Sequence, residues 1–336
     1  MKRVTLQQVA KEARVSMSSV SNVLNGHPHV REELRQRVTT AVDKLGYRPL
    51  AIGRNLRSGS TGQIMLAIPN FAQPYFAELA RDAVAVAELA GMSLIVQQTD
   101  DDLGRERRIV EGWNLGAVDG MLFSPSSISD EELERRHQGI PLVLLGEHSH
   151  LDDIDRVRID SERIGTLATH HLIAQGRRRI GMIGFKATGD PHVVSERHTG
   201  YLSALREHGL EPVGEYARVT DWTRQAGEAA MSDLLAEVPD IDAVFAANDL
   251  LALGAMKALR RHGRRAPHDV AVIGVDDIEE AQFAEPSLST VAIDRRTMVT
   301  AAFELLLARI EDPDRPPQSR FAPVKLRVRE STARNT

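Results

Sequence analysis

The sequence lacks the features that place a protein outside the cytoplasm or in a membrane. It contains no cysteine, which excludes disulfide bonds and thiol catalysis and fits a cytoplasmic protein. No apolar run approaches the roughly 20 residues that cross a bilayer. The N-terminus, MKRVTLQQVAKEA, has no apolar stretch after its basic residues and is therefore not a signal peptide. These absences predict a cytoplasmic chain that has no membrane-spanning segment.

The motifs of common catalytic and metal sites are also absent. The chain has no P-loop, no GxGxxG after a strand, no GxSxG and no HExxH, and the segment GFKATGD (184–190) lacks the Lys-Ser/Thr ending of a phosphate loop. Histidines occur in pairs at 27 and 29, 148 and 150, and 170 and 171, but no third ligand with recognisable spacing accompanies them. No pair of carboxylates stands out as an acid and base. We therefore expect no enzymatic activity, no cofactor and no metal site.

Charge is distributed unevenly along the 336 residues, a length typical of two or three domains. Residues 1–61 contain eleven Lys/Arg and four Asp/Glu, a balance of +7, whereas the remainder has a balance of −12. A small basic segment on a large acidic body indicates an N-terminal module that binds a polyanion. A basic face that is merely solvated is the alternative.

The first 48 residues have the pattern of three short helices. The spacing predicts a helix over 5–14 with Thr5 as N-cap, a second over 17–25 ended by Gly26, and a third over about 31–45. Two short helices joined by a tight turn, with a third closing the core, form a helix-turn-helix unit. The second helix carries short polar side chains on one face, of the kind that reach base edges in a major groove. A polar helix in any three-helix bundle would show the same pattern.

The next segment, 49–57, is too short and glycine-containing to hold a helix alone in water. Ordered on a partner, it would expose Leu56 between Arg54 and Arg57, and proteins that bend DNA insert leucines of this kind into the minor groove. A flexible connector, SGSTG, follows at 58–62.

The segment VAKEARVSMSSVSNVLN, followed by LGYRPLAIGRNLRSG, resembles the head and hinge of the LacI/GalR family of bacterial transcription regulators. The resemblance extends over the whole chain and implies that Met17 and Ser18 open the recognition helix and that Leu56 enters the minor groove at the operator centre. Asn22 stands where arginine is frequent, and asparagine pairs with adenine rather than guanine. The residues expected to contact double-stranded operator DNA are Thr5, Ser16, Met17, Ser18, Ser21, Asn22, Arg54 and Leu56.

From residue 62 onward, short apolar runs alternate with amphipathic segments, which predicts parallel sheets connected by helices. Ten strands are expected, and they divide into two sheets, one before and one after about residue 162. The expected strands are 64–70, 93–99, 120–125, 141–147, 157–161, 178–185, 216–221, 243–249, 270–277 and 289–294. This two-lobe α/β layout resembles the periplasmic sugar-binding proteins, a fold that the regulator family shares. The expected domains are 1–48 (DNA-binding), 49–61 (hinge) and 62–336 (effector binding and dimerisation).

Ligands of open α/β sheets lie beyond the carboxyl ends of the strands, so polar and aromatic residues at those points are candidates for a binding site. Asn248 and Asp276 offer bidentate hydrogen bonding to sugar hydroxyls, and Trp222 offers a stacking face. The alternative is structural, with Asp249 serving as an N-cap and the Tyr75–Phe76 pair as core. The candidate effector residues are Tyr75, Phe76, Gln98, Ser124, Arg197, Trp222, Asn248 and Asp276, of which the resemblance implies Tyr75, Arg197, Trp222, Asn248 and Asp276.

The function expected from these observations is a transcription repressor that binds a palindromic operator as a homodimer and responds to a small-molecule effector. The C-terminal tail carries no leucine heptads, which favours a dimer over a coiled-coil tetramer. A carbohydrate is the expected effector, and a nucleobase or nucleoside is the alternative. A transport-type sugar-binding protein and a sugar- or nucleoside-processing enzyme are the competing functions.

Overall fold

The chain divides into two compact units, residues 1–61 and residues 62–336. Residues 49–59 of the predicted hinge, which include Arg54 and Leu56, lie outside the residues that the structure describes. The structure, a computed structural model, describes residues 4–24, 27, 29–47, 60–112, 118–136, 139–147, 149, 151–185, 191–213, 217–218 and 221–333.

The first unit contains three helices, α1 (Leu6–Ala13), α2 (Met17–Leu24) and α3 (Glu32–Leu45). Thr5 is the N-cap of α1, as predicted: its side chain accepts the N–H of Gln8, and the Gln8 side chain accepts the N–H of Thr5. Asn25 and Gly26, the predicted end of the second helix, lie outside the described residues.

The core of the first unit forms where one face of each helix meets the other two. Val9, Val20 and Val38, one from each helix, are fully buried and pack with Ala10, Ala13, Val23 and Ala41. Arg14 ends α1 in the left-handed conformation, with φ of 53°. The resulting tight turn places α2 across α1 and α3 and leaves the opposite face of α2 exposed, as a helix-turn-helix unit requires.

Twelve strands are found among the described residues of the second unit. They are β1 (Gln63–Ile68), β2 (Ser93–Gln98), β3 (Gly120–Phe123), β4 (Leu142–Gly146), β5 (Asp155–Ile159), β6 (Ile180–Phe185), β7 (Ala217–Arg218), β8 (Ala243–Ala246), β9 (Ala271–Asp276), β10 (Ser289–Ile293), β11 (Ser319–Ala322) and β12 (Val324–Arg327).

The helices of the second unit alternate with these strands. They are α4 (Pro74–Leu89), α5 (Leu103–Val110), α6 (Asp130–Glu134), α7 (Ser161–Ala174), α8 (Pro191–Glu207), α9 (Arg224–Glu237), α10 (Asp249–Arg261), α11 (Glu279–Phe283) and α12 (Arg295–Glu311). Among the described residues, no helix combines the length and the apolar character that crossing a bilayer requires.

The strands form two six-stranded sheets, ordered β11-β5-β4-β3-β1-β2 in the first lobe and β12-β10-β9-β8-β6-β7 in the second. Every pairing is parallel except that of β12 with β10. The central strands are buried along nearly their whole length because helices cover both faces of each sheet, which is why they read as continuous apolar runs.

The expected division of the sheets at residue 162 is wrong for the C-terminal part of the chain. After β10, α12 returns to the first lobe and packs on β3, β4, β5 and α4. Strand β11 then extends the first sheet beside β5, and β12 closes the second sheet beside β10. The chain therefore crosses between the lobes three times, after β5, after β10 and between β11 and β12.

Candidate functional site

The exposed face of α2 carries the side chains that were predicted to read DNA. Met17 is 52% exposed, and Ser18 and Asn22 are exposed beside it, while Val20 and Val23 hold the opposite face in the core. This face displays a thioether, a hydroxyl and an amide, three groups that differ in their hydrogen bonding.

The remaining described candidates near α2 also have structural roles. The Ser16 hydroxyl accepts the N–H of Ser19 at 3.1 Å at the start of α2 and lies 2.7 Å from the hydroxyl of Ser18. Thr5 is exposed at the N-cap of α1, and Ser21 is partly buried. The basic residue Arg37 donates to the carbonyls of Ala13 and Arg14, at 2.6 and 3.1 Å, so it stabilises the turn between α1 and α2.

A second site is a cavity of about 320 Å³ between the lobes of the second unit. The carboxyl ends of β1, β3, β4 and β9 open into it, as expected for parallel sheets. We call it the inter-lobe cavity. Six of the eight predicted effector residues line it: Tyr75, Phe76, Ser124, Arg197, Trp222 and Asp276.

The structure does not bring Gln98 and Asn248 to the wall of this cavity. The side-chain oxygen of Gln98 accepts the N–H of Phe71 at 2.9 Å, and the side-chain NH2 group of Gln98 donates to Asp100. Asn248 is the N-cap of α10, where its side-chain oxygen accepts the N–H of Leu251 at 2.8 Å. Both side chains are thus engaged in local hydrogen bonds that fix a turn or a helix start.

The structural alternative for Asp249 was wrong in its detail, because the cap is Asn248. Asp249 is fully buried, and its two carboxylate oxygens accept from the Thr290 hydroxyl at 2.7 Å and from the N–H of Ile278 at 3.0 Å. Burial raises the pKa of Asp249 well above its ordinary value. This buried carboxyl ties α10 to β10 and to the start of α11.

Arg197, on α8, lies in the wall of the inter-lobe cavity and is only 4% exposed. Its guanidinium donates to Glu147 of the first lobe at 2.6 Å and to the Ala247 carbonyl of the second lobe at 2.5 Å. It also donates to the Ser161 hydroxyl at 3.2 Å and lies 5.4 Å from the centre of the Trp222 ring. Arg197 is a candidate effector residue from the sequence, but in the structure its donors join the two lobes.

Glu147 was missed by the sequence reasoning, although it directly follows the predicted strand that contains β4. Its carboxylate is buried in the cavity wall, and only one oxygen is used, by Arg197; the other oxygen, Oε2, has no hydrogen-bond partner. The indole N–H of Trp222 is likewise buried without a partner in the same wall. A buried polar group without a partner costs free energy, so the binding of a molecule that supplies both hydrogen bonds is favoured here.

Asp276 ends β9 with a φ of 108°, a strained conformation for a residue with a side chain. Burial raises its pKa to about 7, although Arg197 and Arg295 oppose that change. Burial, followed by the charge of Asp276, also raises the pKa of Tyr75 well above its usual range. The cavity therefore contains an acid that changes its charge near neutral pH.

A second connection between the lobes was also missed. Glu78 on α4 accepts the N–H of Glu279, at the start of α11, at 2.9 Å and forms an ion pair with Arg295. Arg295 in turn donates to the Asp276 carbonyl at 2.7 Å. The two lobes are thus joined by charged hydrogen bonds at Arg197 and at Glu78 with Arg295.

Glu106, fully buried on α5, holds one wall of the cavity in place. Its Oε1 accepts from the N–H and hydroxyl of Ser126 at 3.0 and 2.8 Å, and its Oε2 accepts the N–H groups of Ser127 and Ile128 at 2.9 and 2.8 Å. The loop that it fixes follows β3 and supplies Ser124 to the cavity. The sequence of α5, LGRERRIV, is typical of a solvent-exposed helix, and nothing in that pattern indicates the buried carboxylate of Glu106.

Known proteins share both units of this chain. Residues 5–49 match the family described as bacterial regulatory proteins, lacI family, and residues 169–332 match the periplasmic binding protein-like domain. The ribose operon repressor of Halalkalibacterium halodurans is 31% identical over 328 residues, which are 98% of this chain and 97% of the relative.

Solved structures agree with these matches. The lac repressor dimer bound to operator and the anti-inducer ONPF superposes with a TM-score of 0.88 at 26% identity, covering 98% of this chain and 99% of that chain. The complex of the transcriptional regulator CelR with cellobiose has a TM-score of 0.72 at 33% identity, covering 98% of this chain and 100% of that chain. The chain belongs to the lacI family of bacterial regulatory proteins, which are DNA-binding regulators and not enzymes.

Proposed function

We propose that this protein is a transcription repressor that binds a palindromic operator as a homodimer. Its affinity for DNA falls or rises when a neutral carbohydrate binds in the inter-lobe cavity. The observation that carries the proposal is the pair of buried, unpartnered groups in the cavity wall, Glu147 Oε2 and the Trp222 N–H. An acceptor and a donor in the wall of one cavity suit the hydroxyl groups of a sugar, each of which donates and accepts.

The charge of the cavity favours an uncharged effector. Among the described residues that line it, the carboxylates are Asp101, Glu147, Asp221 and Asp276, against a single guanidinium. Arg197 already donates to Glu147, Ala247 and Ser161. A phosphate or carboxylate on the effector would therefore meet a field of its own sign without an available cation. Relatives named for ribose and bound to cellobiose support the carbohydrate class.

The DNA-binding part of the proposal rests on the exposed face of α2. Met17, Ser18 and Asn22 would meet base edges in the major groove, and Thr5, Ser16 and Ser21 would position the unit on the phosphates. Arg54 and Leu56 keep the minor-groove role that the family resemblance implies. Since the target is chromosomal DNA, we place the protein in the cytoplasm.

The homodimer is supported by large apolar side chains exposed on both lobes. Phe283 on α11 is 75% exposed and Leu89 at the end of α4 is 82% exposed. Aromatic side chains such as Phe283 are enriched at protein interfaces. The lac repressor, which the chain resembles over nearly its full length, is a dimer on its operator. Two heads on one palindrome double the contacts that a single head makes.

The proposed control acts through the relative position of the lobes. An effector that bonds Glu147 in the first lobe and Trp222 in the second stabilises one arrangement of the lobes over another. A coupling free energy of about 1–3 kcal/mol, typical of allosteric proteins, is enough to order or disorder a marginal hinge.

The effector proposal is tested by thermal denaturation of the full chain with neutral pentoses, hexoses and disaccharides, their phosphates, and nucleosides. A neutral sugar at 100 times its Kd should add about 2.7 kcal/mol to the free energy of unfolding. Glu147→Gln should lose most of this effect, whereas Asp233→Ala, an exposed change outside the cavity, should keep it. A phosphorylated sugar that stabilises more than its neutral parent would contradict the charge argument, and a response to nucleosides alone would favour the alternative effector.

The dimer and the operator are tested separately. Sedimentation should give a dimer for the parent chain and a monomer for Phe283→Lys, and the monomer should bind a selected palindromic DNA more weakly. A Phe283→Lys chain that stays dimeric would exclude this surface from the interface.

A further inference from the structure

Helices α7 and α8 touch at a point where only glycine fits. A Cβ added to Gly165 on α7 would lie 2.0 Å from the carbonyl oxygen of Arg197 on α8, and one added to Gly200 would lie 2.0 Å from that of Glu162. The two backbones are therefore in direct contact, and their relative position is fixed by close packing. Side chains farther along the two helices inherit that fixed geometry.

Three potential metal ligands meet beyond this contact. His170 lies on α7, Glu207 is the last residue of α8, and His208 follows it. His170 Nε2 is 2.9 Å from Glu207 Oε2, and the rings of His170 and His208 are 5.2 Å apart. One ligand atom from each residue lies within 4.8 Å of the other two. The cluster is accessible from solvent, with the side chains of His170 and Glu207 37% and 54% exposed.

The hydrogen bonds around the cluster leave the ligand atoms oriented toward one another. His208 Nδ1 donates to the Ala204 carbonyl at 3.0 Å, which leaves Nε2 as the nitrogen with the lone pair. Glu207 Oε1 accepts from the Ser203 hydroxyl at 3.4 Å, while Oε2 faces His170. Partners of this kind fix the tautomer and the direction of metal ligands in proteins.

We propose that His170, Glu207 and His208 bind a divalent transition-metal ion of the Zn²⁺ class, with water as the fourth ligand. Two imidazoles and one carboxylate are a donor set that zinc accepts in four-coordinate sites. Bonds of about 2.0–2.1 Å in a tetrahedral site place the ligand atoms roughly 3.3 Å apart, which rotation of these exposed side chains achieves. Sequence spacing does not reveal the site because its ligands come from two helices.

The ion would link α7 to α8, the helix that supplies Arg197 to the inter-lobe cavity. Ser161 begins α7 and bonds to Arg197, which lies on α8 beside the glycine contact. A metal ion at the far end of this helix pair would therefore strengthen the same packing that holds Arg197. The expected result is a rise in Tm of the second unit with Zn²⁺, whether or not an effector is bound.

The test is titration of the chelator-treated, untagged full chain with Zn²⁺, followed by calorimetry, and with Co²⁺, followed by its visible absorption. The parent chain should bind one ion. In His208→Ala and in Glu207→Gln the affinity for that ion should fall at least about tenfold, the loss expected when even a hydrogen-bond partner of a metal ligand is removed. His262→Ala and His268→Ala, which alter exposed histidines outside the cluster, should bind as the parent does.

Glu207→Gln keeps the shape of the side chain, so its circular dichroism should match that of the parent. A loss of Zn²⁺ binding in this variant would then result from the loss of the carboxylate. Equal Zn²⁺ affinity in the parent, His208→Ala and Glu207→Gln chains would overturn the proposal. The absence of any Zn²⁺-dependent rise in Tm of the parent would overturn it as well.

Discussion

Replacing Asp276 by asparagine should change how the stability of the second unit depends on pH. Burial raises the pKa of Asp276 to about 7 from its ordinary value of 3.8. An acid whose pKa is higher in the folded state binds its proton more tightly there than in the unfolded chain. Its contribution to stability is therefore complete below pH 3.8 and is lost as the pH rises to about 7. Asparagine resembles the protonated acid and does not titrate.

The size of the effect follows from the two pKa values. A difference of about three pKa units corresponds to about 4 kcal/mol, an upper limit because the carboxyl is only partly shielded from water. About 2–3 kcal/mol of this falls between pH 5 and pH 8. Asp276→Asn should thus gain about that much in unfolding free energy, relative to the parent chain, when the pH is raised from 5 to 8.

Urea unfolding at pH 5, 6, 7 and 8 measures this difference in the full chain. Both tryptophans of the sequence, Trp113 and Trp222, lie within residues 62–336, so their fluorescence reports the second unit. A difference between Asp276→Asn and the parent that stays constant over the whole pH range would refute the reasoning, because Asp276 would then keep the same pKa folded and unfolded.

Three further substitutions test other parts of the molecule. Asn22→Ala should weaken binding to the selected operator by roughly 5- to 150-fold, the value of one base contact, with an unchanged Tm, and Thr40→Ala on α3 is its exposed control. Glu106→Gln should lower the free energy of unfolding by about 2–4 kcal/mol and should weaken effector binding, because one carboxylate oxygen becomes an NH2 group that cannot accept from the backbone N–H groups facing it; an unchanged midpoint in urea would contradict that role. Gly165→Ala should destabilise the second unit by about 1–3 kcal/mol through its contact with the Arg197 carbonyl, which differential scanning calorimetry detects; a neutral change would mean that α7 and α8 are not in contact.

The sequence predicted the ten strands β1 to β10, most of which are buried apolar runs between amphipathic segments. The edge strand β2, whose side chains alternate between exposed and half-buried, was predicted from its own apolar run SLIV. It did not predict β11 and β12, since SRFA and VKLR are edge strands of four residues that contain arginine or lysine, and only Ala322 among their residues is buried. Short edge strands with Arg and Lys read as a polar tail. That omission also hid the return of the chain to the first lobe, which depends on the packing of α12 and not on a local pattern.

The sequence predicted those residues of the inter-lobe cavity whose positions are set by the ends of strands. Ser124 follows β3, Asp276 ends β9 and Tyr75 lies at the start of the helix after β1, and the structure brings all three to one cavity. Asn248 follows a strand as well, but the nearby N–H of Leu251 takes its side chain, a local competition that spacing does not reveal. The pairing of Arg197 with Glu147 joins residues from different lobes, so only the folded chain establishes it.

The late return of β11 to the first sheet has a consequence for synthesis on the ribosome. Strand β5 emerges about 160 residues before its partner β11, a delay of roughly 10–30 s at the usual rate of translation. During this interval one backbone edge of β5 has no neighbour, and α12, which covers this sheet, is made only near its end. The nascent first lobe is therefore an open-edged intermediate, the species in this molecule most dependent on chaperone protection.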